Sequence, residues 1–257
     1  MGIDKIVVED YQELSEQAAA IVEQRIKAKP DLVLGLATGS TPVGLYKRLV
    51  ADYQAGAIDL SQVTTFNLDE YCGLASDHPQ SYRFFMDKHL FSQVNIDRRR
   101  VNFPREGDED EYDRKITAAG GIDLQILGIG RNGHIGFNEP GSSFESRTRV
   151  VDLTKTTMAD NARFFNRPED VPRRAVTMGL ATIMEAKTII LLASGESKAE
   201  VMKVMLAQRP AEGIPASILQ RHKQVVIIVD REAGGGEKRT LLRQKHKGQS
   251  LNKTQSL

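Results

Sequence analysis

The sequence has 257 residues, of which 40% are hydrophobic, and this is long enough to bury a substantial core in one large domain. Its 35 basic and 34 acidic residues nearly cancel, which excludes a broad electrostatic field for nucleic acid or an anionic membrane surface. One cysteine, Cys72, excludes an intrachain disulfide, and the lack of a signal-like or membrane-length apolar run predicts a soluble cytoplasmic protein.

Short β-branched runs alternate with amphipathic segments along the chain. In chain order we predict strands at 6–8, 32–36, 63–68, 124–129, 188–193 and 225–229, and helices at 11–27, 41–50, 81–91 and 197–207. The runs at 124–129 and 188–193 are strongly apolar, as buried parallel strands are. The alternation predicts a single three-layer α/β/α domain over residues 1–232, built on a mostly parallel, Rossmann-like sheet.

The last stretch, residues 233–257, differs in composition. It is rich in Gly, Gln and Lys, and it carries six basic residues against one acidic residue, Glu237. We predict a basic, solvated and flexible tail. The alternative is a short helix near residues 240–247 that packs on a neighbouring subunit of a homo-oligomer.

Four segments place glycine and polar residues at the ends of apolar strands, where ligands bind in open α/β sheets. The first, ATGSTP, leads from a predicted strand into a helix. Gly39 allows close backbone approach, and free N–H groups at a helix start attract phosphate. The hydroxyls of Ser40 and Thr41 add donors, although an ordinary capped turn explains the same residues. The GxxxxGK[ST] spacing of a Walker A loop is missing.

The second segment, FNLDEY, places Asp69 and Glu70 directly after an apolar strand. Burial at a strand end raises the pKa of a carboxyl group toward neutrality, which suits a general base. Adjacent residues of an extended chain point to opposite sides, so at most one of the two faces a given pocket. A surface pair or a helix cap is the alternative.

The third segment, GIGRNGHIGFNEP, surrounds His134 with glycines in a loop that leaves a buried strand. Histidine titrates near neutrality and carries protons in both directions, and Glu139 is close enough in sequence to orient its ring. A structural loop is the alternative. No two of the five histidines have the spacing of metal ligands, so we predict no metal. No helix-forming run follows GIGRNG, which argues against a dinucleotide-binding loop.

The fourth segment, SGESKA, places Lys198 in the first turn of a predicted helix. The helix dipole disfavours a positive charge there, unless a phosphate lies between the helix start and the ammonium group. A solvent-facing lysine is the alternative. Taken together, two anion sites, a histidine and a strand-end carboxylate predict proton transfer on a small phosphorylated substrate.

The motifs TGSTP, FNLDEY, GHIGFNEPGSSF, ARFF and SGESKA occur in this order along the chain. On these motifs the chain resembles, over residues 3–230, the glucosamine-6-phosphate deaminase family. The resemblance implies isomerisation and deamination of glucosamine 6-phosphate to fructose 6-phosphate and ammonia, with no metal or organic cofactor.

The resemblance also implies a role for individual residues. Asp69 would take the C2 proton and return it to C1, while His134 would assist opening of the pyranose ring and Glu139 would hold the imidazole. Arg163 would lie on a segment that closes over the sugar. The residues implied to bind the phosphate are Gly39, Ser40, Thr41, Arg163 and Lys198.

This chain departs from parts of the family pattern. Asn132 stands where many members have aspartate, and we predict that it orients its neighbour because an amide cannot take a carboxylate's charge. Ser142 and Arg149 match part of the site at which some hexameric members bind the activator N-acetylglucosamine 6-phosphate. Val151 replaces a lysine of that site, and the C-terminal tyrosine of those members has no counterpart, so we expect weak or absent activation.

Two other functions compete with deamination. A lactonase of the same fold would need a histidine that activates water but no base for a carbon-bound proton, so the FNLDEY segment favours the deaminase. A sugar-phosphate sensor would carry a DNA-binding domain. Because the α/β pattern starts within the first ten residues, we expect no such domain before it.

Overall fold

The computed structural model describes residues 2–154, 157, 158, 165, 167, 170–207 and 209–236. Arg163, which is predicted to bind phosphate, therefore lies outside the described residues. Most of the predicted tail lies outside them as well. Within the described residues, no helix is both long and apolar enough to cross a bilayer.

Every predicted strand and helix is present, with boundaries that move by a few residues. The strands are β1 Gly2–Val8, β2 Val33–Leu36, β3 Thr64–Asn67, β4 Asp69–Tyr71, β5 Val101–Asn102, β6 Leu124–Gly128, β7 Arg149–Asp152, β8 Arg174–Thr177, β9 Ile189–Ala193 and β10 Gln224–Asp230. The α-helices are α1 Tyr11–Ala28, α2 Val43–Gln54, α3 Tyr82–His89, α4 Glu109–Ala118, α5 Leu180–Met184 and α6 Ala199–Ala207. The structure thus adds β4, β5, β7, β8, α4 and α5, which were not predicted.

The central sheet has seven strands in the order β1-β10-β9-β6-β2-β3-β5, and every pairing in it is parallel. Helices α1, α2 and α3 pack on one face, where their apolar side chains meet Leu34 and Ile190. Helices α4, α5 and α6 cover the other face, where Ile189 and Leu191 point. The three-layer α/β/α prediction with a mostly parallel sheet is confirmed.

A second, antiparallel sheet of order β4-β8-β7 was not predicted. Its strands have only three or four residues, too few for alternation to stand out in the sequence. Only Leu68 separates the end of β3 from the start of β4. Asp69 therefore lies at the point where the chain leaves the parallel sheet and joins the antiparallel one.

Candidate active site

A cavity of about 520 Å³ opens where the carboxyl ends of β2, β3, β6 and β9 meet. Each of the four segments singled out in the sequence contributes to its wall, as expected for the strand-end position of ligand sites in parallel sheets. The predicted site residues that line it are Gly39, Ser40, Thr41, Asp69, His134 and Lys198.

The loop after β2 forms one wall of the cavity. Gly39 has a φ of +100°, a conformation that favours glycine, and the turn leads directly into α2. The hydroxyl of Tyr11 donates a 3.0 Å hydrogen bond to the carbonyl of Ser40 and accepts one of 2.8 Å from the N–H of Gly44. Tyr11, at the start of α1, thus joins the loop at Ser40 to the first turn of α2 at Gly44, and no local sequence signal indicated that role.

The loop after β9 lines the same cavity. Gly195 has a φ of +89°, and Lys198 lies in the 3₁₀ turn Glu196–Lys198 that precedes α6. Asp230, at the end of β10, accepts hydrogen bonds from the hydroxyl of Ser194 at 2.5 Å and from the N–H of Gly195 at 3.0 Å. The position of this turn therefore depends on a carboxylate that was not among the predicted site residues.

Asp69 is the buried carboxyl group of the cavity, with 5% of its surface exposed. Burial, followed by the neighbouring charge of Glu70, raises the pKa of Asp69 to about 8. Gly136, with a φ of +58°, lies beside it, and a Cβ there would come within 3.3 Å of Asp69 Oδ2 and 2.9 Å of Thr177 Oγ1. Glycine at this position leaves the carboxyl group room to meet a ligand.

Glu70 points away from the cavity, as the alternation of side chains in an extended segment predicts. Its carboxylate accepts hydrogen bonds from the N–H groups of Tyr82 at 2.8 Å and Arg83 at 2.9 Å, the first two residues of α3. Glu70 therefore caps a helix, as the alternative interpretation of this pair predicted, whereas Asp69 lines the cavity, as expected of a general base.

His134 lines the same cavity, packed on the backbone of Gly130. A Cβ on Gly130 would lie only 2.2 Å from the ring atom Cε1, so glycine is required for this close contact. The side chain is about one-third exposed, and its Nδ1 lies 3.7 Å from Glu139 Oε2. That distance is an ion-pair contact but too long for a hydrogen bond.

Glu139 and Asn132 lie behind the imidazole, outside the lining of the cavity. The Asn132 amide donates a 2.7 Å hydrogen bond to Glu139, and its oxygen accepts one of 3.2 Å from the His134 N–H. Thr157 donates a further hydrogen bond to the other Glu139 oxygen. Burial alone would raise the pKa of Glu139, but these donors and the adjacent imidazole bring it to about 2. A permanent negative charge thus faces the ring.

Two aromatic residues that sequence reasoning missed form part of the lining. Tyr82 and Phe137 stack with ring centroids 5.8 Å apart and an interplanar angle of 2°. Tyr71 packs against both rings from below. The other polar side chains of the lining that were not among the predicted site residues are Thr38, Arg131, Thr157, Ser194 and Ser197. Across the described residues, no group of three or more His, Cys, Asp or Glu side chains is arranged to hold a metal ion.

The cavity brings a protonatable carboxyl group and an imidazole together with two loops that offer backbone N–H groups, hydroxyls and an ammonium group. This fold and this cavity define an α/β enzyme that acts on a small anionic molecule. The family model described as glucosamine-6-phosphate isomerases/6-phosphogluconolactonase matches residues 9–228. The chain belongs to that family.

Individual relatives agree with the family match. Glucosamine-6-phosphate deaminase 2 of Bacillus subtilis (strain 168) is 55% identical over 237 residues, which cover 89% of this chain and 95% of the relative. The glucosamine-6-phosphate deaminase of Thermoanaerobacter sp. (strain X514) is 53% identical over 234 residues, covering 89% and 92%.

Solved structures give the same fold. A structure described as a monomeric glucosamine-6-phosphate deaminase superposes with a TM-score of 0.89 at 44% identity, covering 91% of this chain and all of that one. The 6-phosphogluconolactonase from Trypanosoma cruzi superposes with a TM-score of 0.74 at 23% identity, covering 91% and 96%. At that identity the second likeness concerns the fold alone.

Proposed function

We propose that this protein converts glucosamine 6-phosphate and water to fructose 6-phosphate and ammonia. The observation that carries the proposal is that Asp69 and His134 face one cavity whose remaining walls include two loops suited to phosphate. The names of relatives more than 50% identical over most of the chain point to the same reaction.

The phosphate is assigned to the end of the cavity formed by the two glycine loops. The backbone of Gly39 and the hydroxyls of Ser40 and Thr41 supply hydrogen-bond donors there, and Lys198 supplies a positive charge. Arg163, from the ARFF motif, is proposed as a further phosphate ligand on sequence grounds. Anchoring the phosphate places the sugar ring between Asp69 and His134, which is the positional effect on which proton transfer depends.

The reaction is proposed to begin with ring opening, in which His134 passes a proton to the ring oxygen while the C1 hydroxyl loses one. Asp69, as carboxylate, then takes the proton from C2 while the proton released by the C1 hydroxyl returns to the aldehyde oxygen, so that an enolamine forms between C1 and C2. The same carboxyl group returns this proton to C1, which leaves a C=N bond at C2. Water adds to C2, ammonia leaves, and the ketone of fructose 6-phosphate remains.

Glu139 and Asn132 are assigned a positioning role in this scheme. The Glu139 carboxylate stabilises positive charge on the imidazole, and Asn132 holds both the carboxylate and the backbone of the histidine. Neither group lines the cavity, so neither is proposed to contact the substrate.

An ammonia-coupled assay with glucosamine 6-phosphate tests the function, with 6-phosphogluconolactone as the competing substrate. Deaminase activity requires ammonia and fructose 6-phosphate in equal amounts, and lactone hydrolysis without ammonia release would contradict the proposal. Lys198→Ala is expected to raise KM for glucosamine 6-phosphate much more than it lowers kcat, and an unchanged KM would remove Lys198 from the phosphate site.

Weak or absent activation by N-acetylglucosamine 6-phosphate is proposed as well. Arg149 donates hydrogen bonds to Asn138 at 2.9 Å and Ser142 at 3.3 Å, and Val151 packs on an apolar cluster around Tyr71. A valine cannot supply the ammonium group that activated members place there. Velocity curves measured with and without the effector test this point, and a several-fold fall in the substrate concentration at half-saturation would contradict it.

A further inference from the structure

A second polar cavity, of about 160 Å³, lies between β5, α3 and α4 and shares no lining residue with the catalytic cavity. Three of its side chains are cationic and one is a carboxylate. The charged residues are Arg83, Arg105, Lys115 and Asp108, and the remaining ones are Val101, Asn102, Phe103 and Tyr112.

Arg83 gives this cavity a fixed cationic wall. It is half-buried on α3, and its guanidinium carbon lies 4.6 Å from the centroid of the Phe103 ring. This cation–π contact holds the planar group in one orientation, so its donors are placed before any ligand binds. Burial and then the nearby charge of Arg105 lower the pKa of Arg83, because two positive charges share a small space.

The three cations have no carboxylate within ion-pair distance anywhere in the described part of the chain. Other arginines of the same region do pair: Arg98 with Asp87, Arg99 with Asp97 and Arg114 with Glu111. Asp108 lines the same cavity, and the Glu70 carboxylate acts on Arg83 from outside the lining, so two negative charges oppose the three positive ones. The cavity therefore keeps an excess of about one positive charge that a bound anion would balance.

We propose that this second cavity binds a phosphate group, supplied by inorganic phosphate or by a small phosphomonoester. Arginine side chains match the oxygens of phosphate with two parallel hydrogen bonds, and the lysine adds a mobile charge. Pockets for whole drug-sized ligands measure about 300–1,000 Å³, so a cavity of about 160 Å³ suits one anionic group whose attached carbon skeleton extends into solvent. The proposal does not depend on the catalytic function.

The test uses exposed residues so that folding is preserved. Arg105→Gln with Lys115→Gln removes two charges from the cavity, and Lys203→Gln with Lys223→Gln removes two exposed charges elsewhere as the matched control. Binding of inorganic phosphate is measured by isothermal titration calorimetry at low ionic strength, because salt screens such sites. Glucose 6-phosphate titrated in parallel distinguishes a phosphomonoester from free phosphate as the preferred ligand.

We expect the unmodified protein and the control to bind phosphate in this cavity, in addition to any phosphate that the catalytic cavity binds. The cavity variant should lose this site, with affinity weakened at least about tenfold because two of the three charged donors are removed. Arg83→Lys, which keeps the charge but loses the planar guanidinium group and its two parallel donors, should weaken binding at the same site. Phosphate binding that is the same in the cavity variant as in the control, whether at one site or two, would overturn the proposal. That result would not bear on the catalytic cavity.

Discussion

The side-chain amide of Asn132 donates a hydrogen bond of 2.7 Å to the carboxylate of Glu139, directly behind the imidazole of the candidate active site. The same side chain accepts from the backbone N–H of His134, so one residue orients both partners of the histidine–carboxylate contact. An aspartate at this position could accept the backbone hydrogen bond but could not donate to the carboxylate.

Asn132 substitutions are therefore expected to act in graded fashion. Asn132→Asp keeps the acceptor but sets a second negative charge beside Glu139, which raises the pKa of Glu139 from about 2. Asn132→Leu loses both hydrogen bonds. We expect kcat of Asn132→Asp to be lower than that of the unmodified protein, and kcat of Asn132→Leu to be lower still. Only the aspartate variant should show an additional fall in kcat at acidic pH. Steady-state kinetics against pH check this order, and full activity of Asn132→Leu would contradict it.

Asp69→Asn removes the proposed base for the C2 proton. An amide of nearly the same shape keeps the packing but cannot take a proton, and loss of a positioned base costs at least about 100-fold in kcat. Glu70→Gln is the matched control: it should weaken the cap of α3 and lower the melting temperature, while kcat changes far less. Turnover of Asp69→Asn within tenfold of the unmodified protein would show that another group removes the proton.

The same substitution should change how stability depends on pH. Asp69 in the folded protein binds a proton up to about pH 8, whereas a carboxyl group of the unfolded chain releases it near its ordinary pKa of 3.8. Between these values the folded state binds more protons than the unfolded state, so burial of Asp69 lowers stability as pH rises. We expect Asp69→Asn to melt above the unmodified protein at alkaline pH and to lose that advantage in acid. Thermal unfolding at both extremes of this window measures the difference, and an advantage independent of pH would exclude this cause.

Much of the fold and of the site could be predicted from local sequence. Buried strands such as β6 and β9 are continuous apolar runs, and loops rich in glycine directly follow their carboxyl ends. Because those ends meet at one edge of a parallel sheet, segments 155 residues apart in sequence, such as the loops of Gly39 and Ser194, could be assigned to one cavity.

The remainder depends on contacts that leave no local pattern. Tyr11 and Asp230 act through hydrogen bonds to partners that are distant in sequence. The partner of Tyr11 is 29 positions away and that of Asp230 is 36 positions away, and neither residue lies in a glycine-rich motif. The antiparallel strands β4, β7 and β8 are too short for a periodic signal. The cationic cavity is likewise lined by residues from two helices and the segment between them. In the sequence, each of its charged residues resembles an ordinary surface residue.

The raised pKa of Asp69 gives a prediction for catalysis. The base must be ionised to take the C2 proton, so kcat/KM should rise with pH and level off above about pH 8, the pKa of Asp69 in the free enzyme. Initial rates at low substrate concentration, measured through that range, show the pH at which kcat/KM rises. A rise centred near pH 4 would mean that the carboxyl group is solvated during turnover and that burial does not set its pKa.

Tyr11→Phe tests the support of the loop after β2, which is proposed to bind the phosphate, without changing the cavity's charges. The substitution removes one hydroxyl, and with it the hydrogen bonds to the Ser40 carbonyl and the Gly44 N–H. Each neutral hydrogen bond contributes about 0.5–1.5 kcal/mol, and because water replaces part of the two exposed bonds, a net loss equal to one bond should raise KM for glucosamine 6-phosphate about two- to tenfold. Because the acid–base groups stay in place, kcat should change little, and inhibition by inorganic phosphate should weaken in parallel with KM. Tyr53→Phe on α2 is the matched control, and a Tyr11→Phe variant with unaltered KM would show that the loop holds its shape through its own glycine turn.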